Sequence, residues 1–185
     1  MQTDTKVLLL GAASAGVLGI VLWQLLRRKK PGELLYSVGN LSDFQQVYPS
    51  PVGDLEQVRI VTRIIRNSEN PPGNPVVVMQ GVYTSGLERE SWHIFWFSSL
   101  ARYDFFVVAE EQGTQISFGS FPPGEEHTLE GIVYKDGLVE TYLDGVKRGE
   151  GRIYGKLRAT PGEPLQINDP YAPLAHTIVE LAIYG

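Results

Sequence analysis

The 185-residue chain contains no cysteine. Disulfides, thiolate metal sites and a cysteine nucleophile are therefore excluded. Histidine is scarce: His93, His127 and His176 stand alone, none at ligand spacing from another, so no zinc site is signalled. No Gly-x-Ser-x-Gly element, glycine-rich phosphate loop, internal repeat or low-complexity segment is present. Basic residues are also few beyond the first thirty positions. Residues 31–185 hold 11 basic and 20 acidic side chains, a formal charge of −9. Such a domain repels phosphate, which excludes nucleic acid as a partner.

What is abundant at the start is apolar surface. Residues 7–26 read VLLLGAASAGVLGIVLWQLL, with only Ser14 and Gln24 clearly polar. The apolar side chains are Val7, Leu8, Leu9, Leu10, Val17, Leu18, Ile20, Val21, Leu22, Trp23, Leu25 and Leu26, with Ala and Gly between them. As a helix this run is roughly 30 Å long, the thickness of a bilayer's hydrocarbon core. A cleaved signal peptide places its basic residues first. Here Arg27, Arg28, Lys29 and Lys30 come last. The pattern predicts an uncleaved single-pass anchor, with residues 34–185 on the cytoplasmic side by the positive-inside rule. The four basic residues suit anionic lipid head groups, or act simply as a stop that fixes the helix end. Gly11, Ala15 and Gly19 form a small-xxx-small face that fits helix-mediated oligomerisation, although glycine and alanine are common in any membrane span. The expected division is a tail over 1–6, a transmembrane helix over 7–26, a basic juxtamembrane linker over 27–33 and one folded domain over 34–185.

Beyond Pro31-Gly32 no second helical pattern appears. Short β-branched and aromatic runs cover 58–65, 76–83, 91–97, 105–110, 115–118, 127–134, 139–143, 151–154 and 177–184, separated by Gly, Pro, Asn and Asp. Asp136-Gly137 and Asp144-Gly145 supply the positive φ of tight hairpin turns. They predict a three-stranded meander over 127–149. Residues 67–75 and 121–126 read as loops. The class is all-β, an antiparallel sandwich or barrel.

The stretch from His127 through Asp136-Gly137 to Tyr142-Leu143-Asp144-Gly145-Val146 resembles the laminin-G-like, or concanavalin A-like lectin/glucanase, jelly roll. Residues 177–184 (TIVELAIY) look like that family's last strand, and residues 55–66 like an early long strand. The resemblance implies a two-sheet antiparallel jelly roll. It does not itself imply sugar binding.

Superfamily members that cleave glycans carry paired carboxylates on one strand, and retaining glycosidases hold two about 5 Å apart. Glu88-Arg89-Glu90 and Glu125-Glu126 fall beside turn residues and read as solvated turns. A non-enzymatic protein without a cofactor is expected. Asn168 and Asp169 offer oxygen ligands for calcium, or form an Asx turn before Pro170. An aromatic block spans Trp92, Phe95, Trp96, Phe97, Tyr103, Phe105 and Phe106. Strand alternation puts Trp92, Ile94 and Trp96 on one face and His93, Phe95 and Phe97 on the other. One face belongs to the core. Trp92 and Trp96, with Tyr103, are the candidate binding surface if theirs is the exposed one.

The expected function is tethering. The sandwich grips a partner protein or assembly and the helix fixes that contact to a bilayer. A minor capsid protein joining a viral capsid shell to an internal virion membrane fits this arrangement. The alternative is a membrane-anchored lectin-like carbohydrate-binding module.

Overall fold

The structure, a computed structural model, describes residues 30–82, 89–110, 112–172 and 174–185. Among these residues twelve strands make two six-stranded sheets. In chain order they are β1 (Leu34–Leu41), β2 (Gln45–Val47), β3 (Val58–Arg66), β4 (Val76–Gly81), β5 (Glu90–Phe97), β6 (Arg102–Ala109), β7 (Gln112–Gly119), β8 (Glu126–Val133), β9 (Leu138–Leu143), β10 (Val146–Arg152), β11 (Leu165–Ile167) and β12 (His176–Tyr184). Sheet A runs β1-β12-β3-β8-β9-β10 and sheet B runs β2-β11-β4-β5-β6-β7. All pairings are antiparallel. The architecture is the two-sheet antiparallel sandwich that the strand spacing and the family resemblance imply.

The alternation in the sequence decides which side chains go inside. Along β3, Val58, Ile60, Thr62 and Ile64 are buried while Arg59, Val61, Arg63 and Ile65 are only half-buried. Facing strands of sheet B contribute Trp92, Ile94, Trp96, Tyr103, Phe105, Val107 and Phe118 to the same core. Close contact between the layers needs a residue without a side chain at Gly131, where a Cβ would lie 2.9 Å from the Phe105 ring. The expected meander is β8-β9-β10. Its turns use Gly137 at φ 82° and Gly145 at φ 77°, as the two Asp-Gly pairs require.

Several expectations change. Residues 151–154 are not a separate strand, because β10 runs unbroken from Val146 to Arg152. Glu126 opens β8 rather than closing a loop, and pairs with Arg63 at 2.8 Å. Glu90 is not a solvated turn residue: it begins β5 and is buried. Among the described residues no helix is long and apolar enough to cross a membrane. The proposed span over 7–26, its Gly11, Ala15 and Gly19 face, and Arg27, Arg28 and Lys29 lie outside the described residues. Lys30 is described, and its amine bonds Glu130 at 2.8 Å and sits 4.5 Å from the centre of the Tyr142 ring. That amine is engaged by the protein's own sheet A.

Candidate functional site

Trp92, Trp96 and Tyr103 are not a binding surface. All three are fully buried between the sheets, with Trp96 and Tyr103 in edge contact at 5.0 Å. Trp96 is further enclosed by the Arg66 guanidinium, 4.5 Å from its ring centre, and by Asn70, which accepts from its Nε1 at 3.3 Å. The opposite face of sheet B lines a groove of about 980 Å³ with His93, Phe95, Phe97 and Phe106, of which Phe97 and Phe106 are partly exposed and His93 and Phe95 are buried.

The groove follows from register. Gln46 on β2 pairs with Gln166 on β11, Gln166 with Met79 on β4, Met79 with His93 on β5, His93 with Phe106 on β6, and Phe106 with Gln115 on β7. These six residues form one row straight across sheet B, and all of them line the groove. Adjacent strands lie about 4.8 Å apart, so the row is about 24 Å long. Amide side chains occupy its two ends and apolar or aromatic groups its middle. The aromatic floor is continuous: Phe97 to Phe95 is 5.9 Å, Phe95 to His93 4.7 Å and His93 to Phe106 5.1 Å between ring centres. Gly113 on β7 makes room for this floor. A Cβ there would come within 2.2 Å of the end of the Phe106 ring.

Two carboxylates belong to the groove. Glu90 is buried and its Oε1 is hydrogen-bonded to Nδ1 of His93. Asp169 braces the wall: its Oδ1 accepts from the backbone N–H of Tyr171 at 2.7 Å and Ala172 at 3.2 Å, and its Oδ2 from Val76 at 3.0 Å. This ties the start of β4 to the loop after β11, and both line the groove. Asn168 donates to the carbonyls of Ser42 at 2.8 Å and His176 at 3.3 Å. Asn168 and Asp169 thus hold backbone, as an Asx turn does. Among the described residues no group of three His, Cys, Asp or Glu side chains could hold a metal ion.

Beside the groove, buried Asp104 is held by Arg102 at 2.9 Å and by the Gln115 amide, which donates to it. This fixes one end of the polar row. Tyr171 stands 97% exposed at the wall, an aromatic ring presented to solvent. The arrangement offers phenyl faces for stacking and carboxamides that both donate and accept, with orientation set by a few buried polar anchors.

Sequence reasoning identified the strand and the two-faced alternation but chose the wrong face. The indoles are the largest side chains, and they fill the interior. Gln46 and Gln166 were invisible, because β2 and β11 are three residues each, too short for a periodic signal. His127, placed by resemblance, bonds Asp144 at 2.8 Å across the β9–β10 turn and lies outside the groove.

No known protein-family profile matches the chain, and no curated protein matches it. Solved structures do share the fold. The CBM40 domain of the Ruminococcus gnavus IT-sialidase, bound to α2,3-sialyllactose, has a TM-score of 0.58 at 14% identity over 85% of this chain and 89% of that one. The Caenorhabditis elegans galectin LEC-6 has a TM-score of 0.52 at 9% identity over 80% and 96%. NanB, in a structure with Optactamide, has a TM-score of 0.61 at 12% identity, and the match covers 82% of this chain but only 26% of that one. The botulinum neurotoxin type G receptor binding domain has a TM-score of 0.55 at 9% identity, with 42% of its length covered. At these identities the shared property is the fold.

Proposed function

We propose that this chain is a non-enzymatic, lectin-like saccharide-binding module held at a membrane by residues 7–26. The observation that carries the reading is the row Gln46, Gln166, Met79, His93, Phe106 and Gln115 along one groove of sheet B. A sugar ring presents an apolar face and a rim of hydroxyls. The partly exposed Phe97 and Phe106 rings suit the first, and carboxamides suit the second. The structural neighbours lend support, since one of them is bound to sialyllactose on this same fold. Both groove carboxylates are already held, Glu90 by His93 and Asp169 by backbone N–H groups, which favours binding over catalysis.

The anchor and its orientation belong to the proposal too. The basic flank Arg27 to Lys30 favours the cytoplasmic side for residues 34–185, and protease protection in sealed vesicles reads this directly. The function itself is tested by a glycan array with the full chain in a detergent that carries no sugar. Binding that is lost in Phe106→Ala supports the module. A chain that binds no glycan, yet co-purifies with a shell protein from its native assembly, replaces it with the capsid-tether reading.

A further inference from the structure

Resting on the saccharide reading, we infer that the groove selects uncharged glycans and rejects those bearing a carboxylate or sulfate. Its described lining carries two acids, Glu90 and Asp169, and no lysine or arginine. The one other titratable cation there is His93, and it is tied to Glu90. The formal charge of these three groups is therefore −1 with the imidazole protonated and −2 with it neutral.

The arginines nearest in sequence are already engaged. Arg89 makes a two-pronged pair with Glu163, at 2.6 and 2.8 Å. Arg102 is held by Asp104. Residues 83–88, which join β4 to β5, contain Glu88 and no basic residue. The net charge of −9 over residues 31–185 adds a long-range field of the same sign. Glu90 is buried away from bulk water, so its field is poorly screened inside the groove. The uncharged polar side chains of the lining are the carboxamides Gln46, Gln115, Gln166 and Asn74; Gln115 donates to Asp104, Gln166 donates to the Gly81 carbonyl and Asn74 accepts from Ser98, and none of the four carries a charge.

The test uses the full chain in sugar-free detergent and glycan pairs that differ by one sialic acid or one sulfate. The array identifies a bound pair, and calorimetric titration at low and high salt follows. The uncharged member is expected to bind at least about tenfold tighter, the scale of one unfavourable like-charge contact. Salt narrows that gap, because screening relieves repulsion. Gln46→Arg adds a cation at an exposed edge position without touching the core, and it too narrows the gap. Asp169→Asn does so while keeping an oxygen for the wall turn. Equal or tighter binding of the charged member overturns this inference and leaves the saccharide reading standing. Failure of every glycan on the array overturns both.

Discussion

The outer faces of the two sheets are built from the same kind of strand and present opposite chemistry. Sheet A closes its outer face with ion pairs. Glu130 receives Lys30 at 2.8 Å and Arg59 at 2.7 Å. Arg63 bridges Glu126 and Glu180, and Glu140 gathers Lys147 at 2.6 Å, the Tyr134 hydroxyl at 2.8 Å and the Tyr142 hydroxyl at 2.9 Å. Beneath them Ile132 is sealed in a second small apolar cluster with Tyr134 and Leu138. Burial pushes the Glu130 carboxyl up, but the hydrogen bonds from Lys30 and Arg59 outweigh it and leave it below the usual range. Burial also raises the Tyr142 hydroxyl, as does its bond to Glu140, together pushing it up to about 12. Sheet B instead leaves aromatic and amide surface in a groove flanked by two loops. A face whose polar groups satisfy one another has little to offer a ligand. A groove with an apolar floor and uncharged amides at its ends does.

The contrast can be broken in order of expected effect. His176 belongs to neither outer face; it is buried at the start of β12 with neither ring nitrogen hydrogen-bonded, 5.6 Å from the Tyr103 ring. Burial, and secondarily the Arg66 charge, lower its pKa to about 3. The imidazole is neutral in the fold and takes up a proton when the chain unfolds. Stability is therefore fully present above about pH 6.5 and falls as pH drops toward 3, by up to about 1.4 kcal/mol per pH unit. Denaturant titrations should show a loss of about 2 kcal/mol between pH 6.5 and 4.5, with a flatter acid limb in His176→Leu. Both faces should fail together in that experiment.

Phe106→Ala should separate them. It removes the ring at the middle of the row and should weaken glycan binding by about 2 kcal/mol, or about thirtyfold, in calorimetry. Glu140→Ala is the mirror experiment. It strips three donors of their acceptor on sheet A and should cost about 1–2 kcal/mol of stability in denaturant titration, with glycan affinity unchanged. Loss of affinity in Glu140→Ala would erase the distinction between the faces. Gly113→Ala is subtler: the new methyl must push the Phe106 ring aside, so a severalfold loss of affinity is expected with the melting temperature held within a few degrees.

Much of the fold was legible because turn chemistry is local. Asp136-Gly137 and Asp144-Gly145 announced their hairpins, and the alternation of residues 91–97 announced a strand with two apolar faces. The site was legible only in half. Periodicity separates the two faces of a strand but does not say which one points inward; that depends on how the layers stack. Volume decided it, with indoles filling the interior and phenyl and imidazole rings left for the groove. Glu90 looks like a turn residue in the sequence because it follows Ser85-Gly86 and a charged run; its place at the start of β5, its burial and its pairing with His93 show otherwise. Gln46 and Gln166 join the row through long-range pairing of three-residue strands, which no local pattern encodes.

The chain carries its own reporter for the central claim. It has two methionines, Met1 at the terminus and Met79 in the row between Gln166 and His93. A methionine methyl NMR spectrum of the full chain therefore gives one signal from the groove floor, assigned with Met79→Leu. Titration with an uncharged glycan that binds should shift the Met79 methyl in proportion to occupancy while Met1 stays in place. An unmoved Met79 methyl at saturation would place the ligand elsewhere and contradict the account.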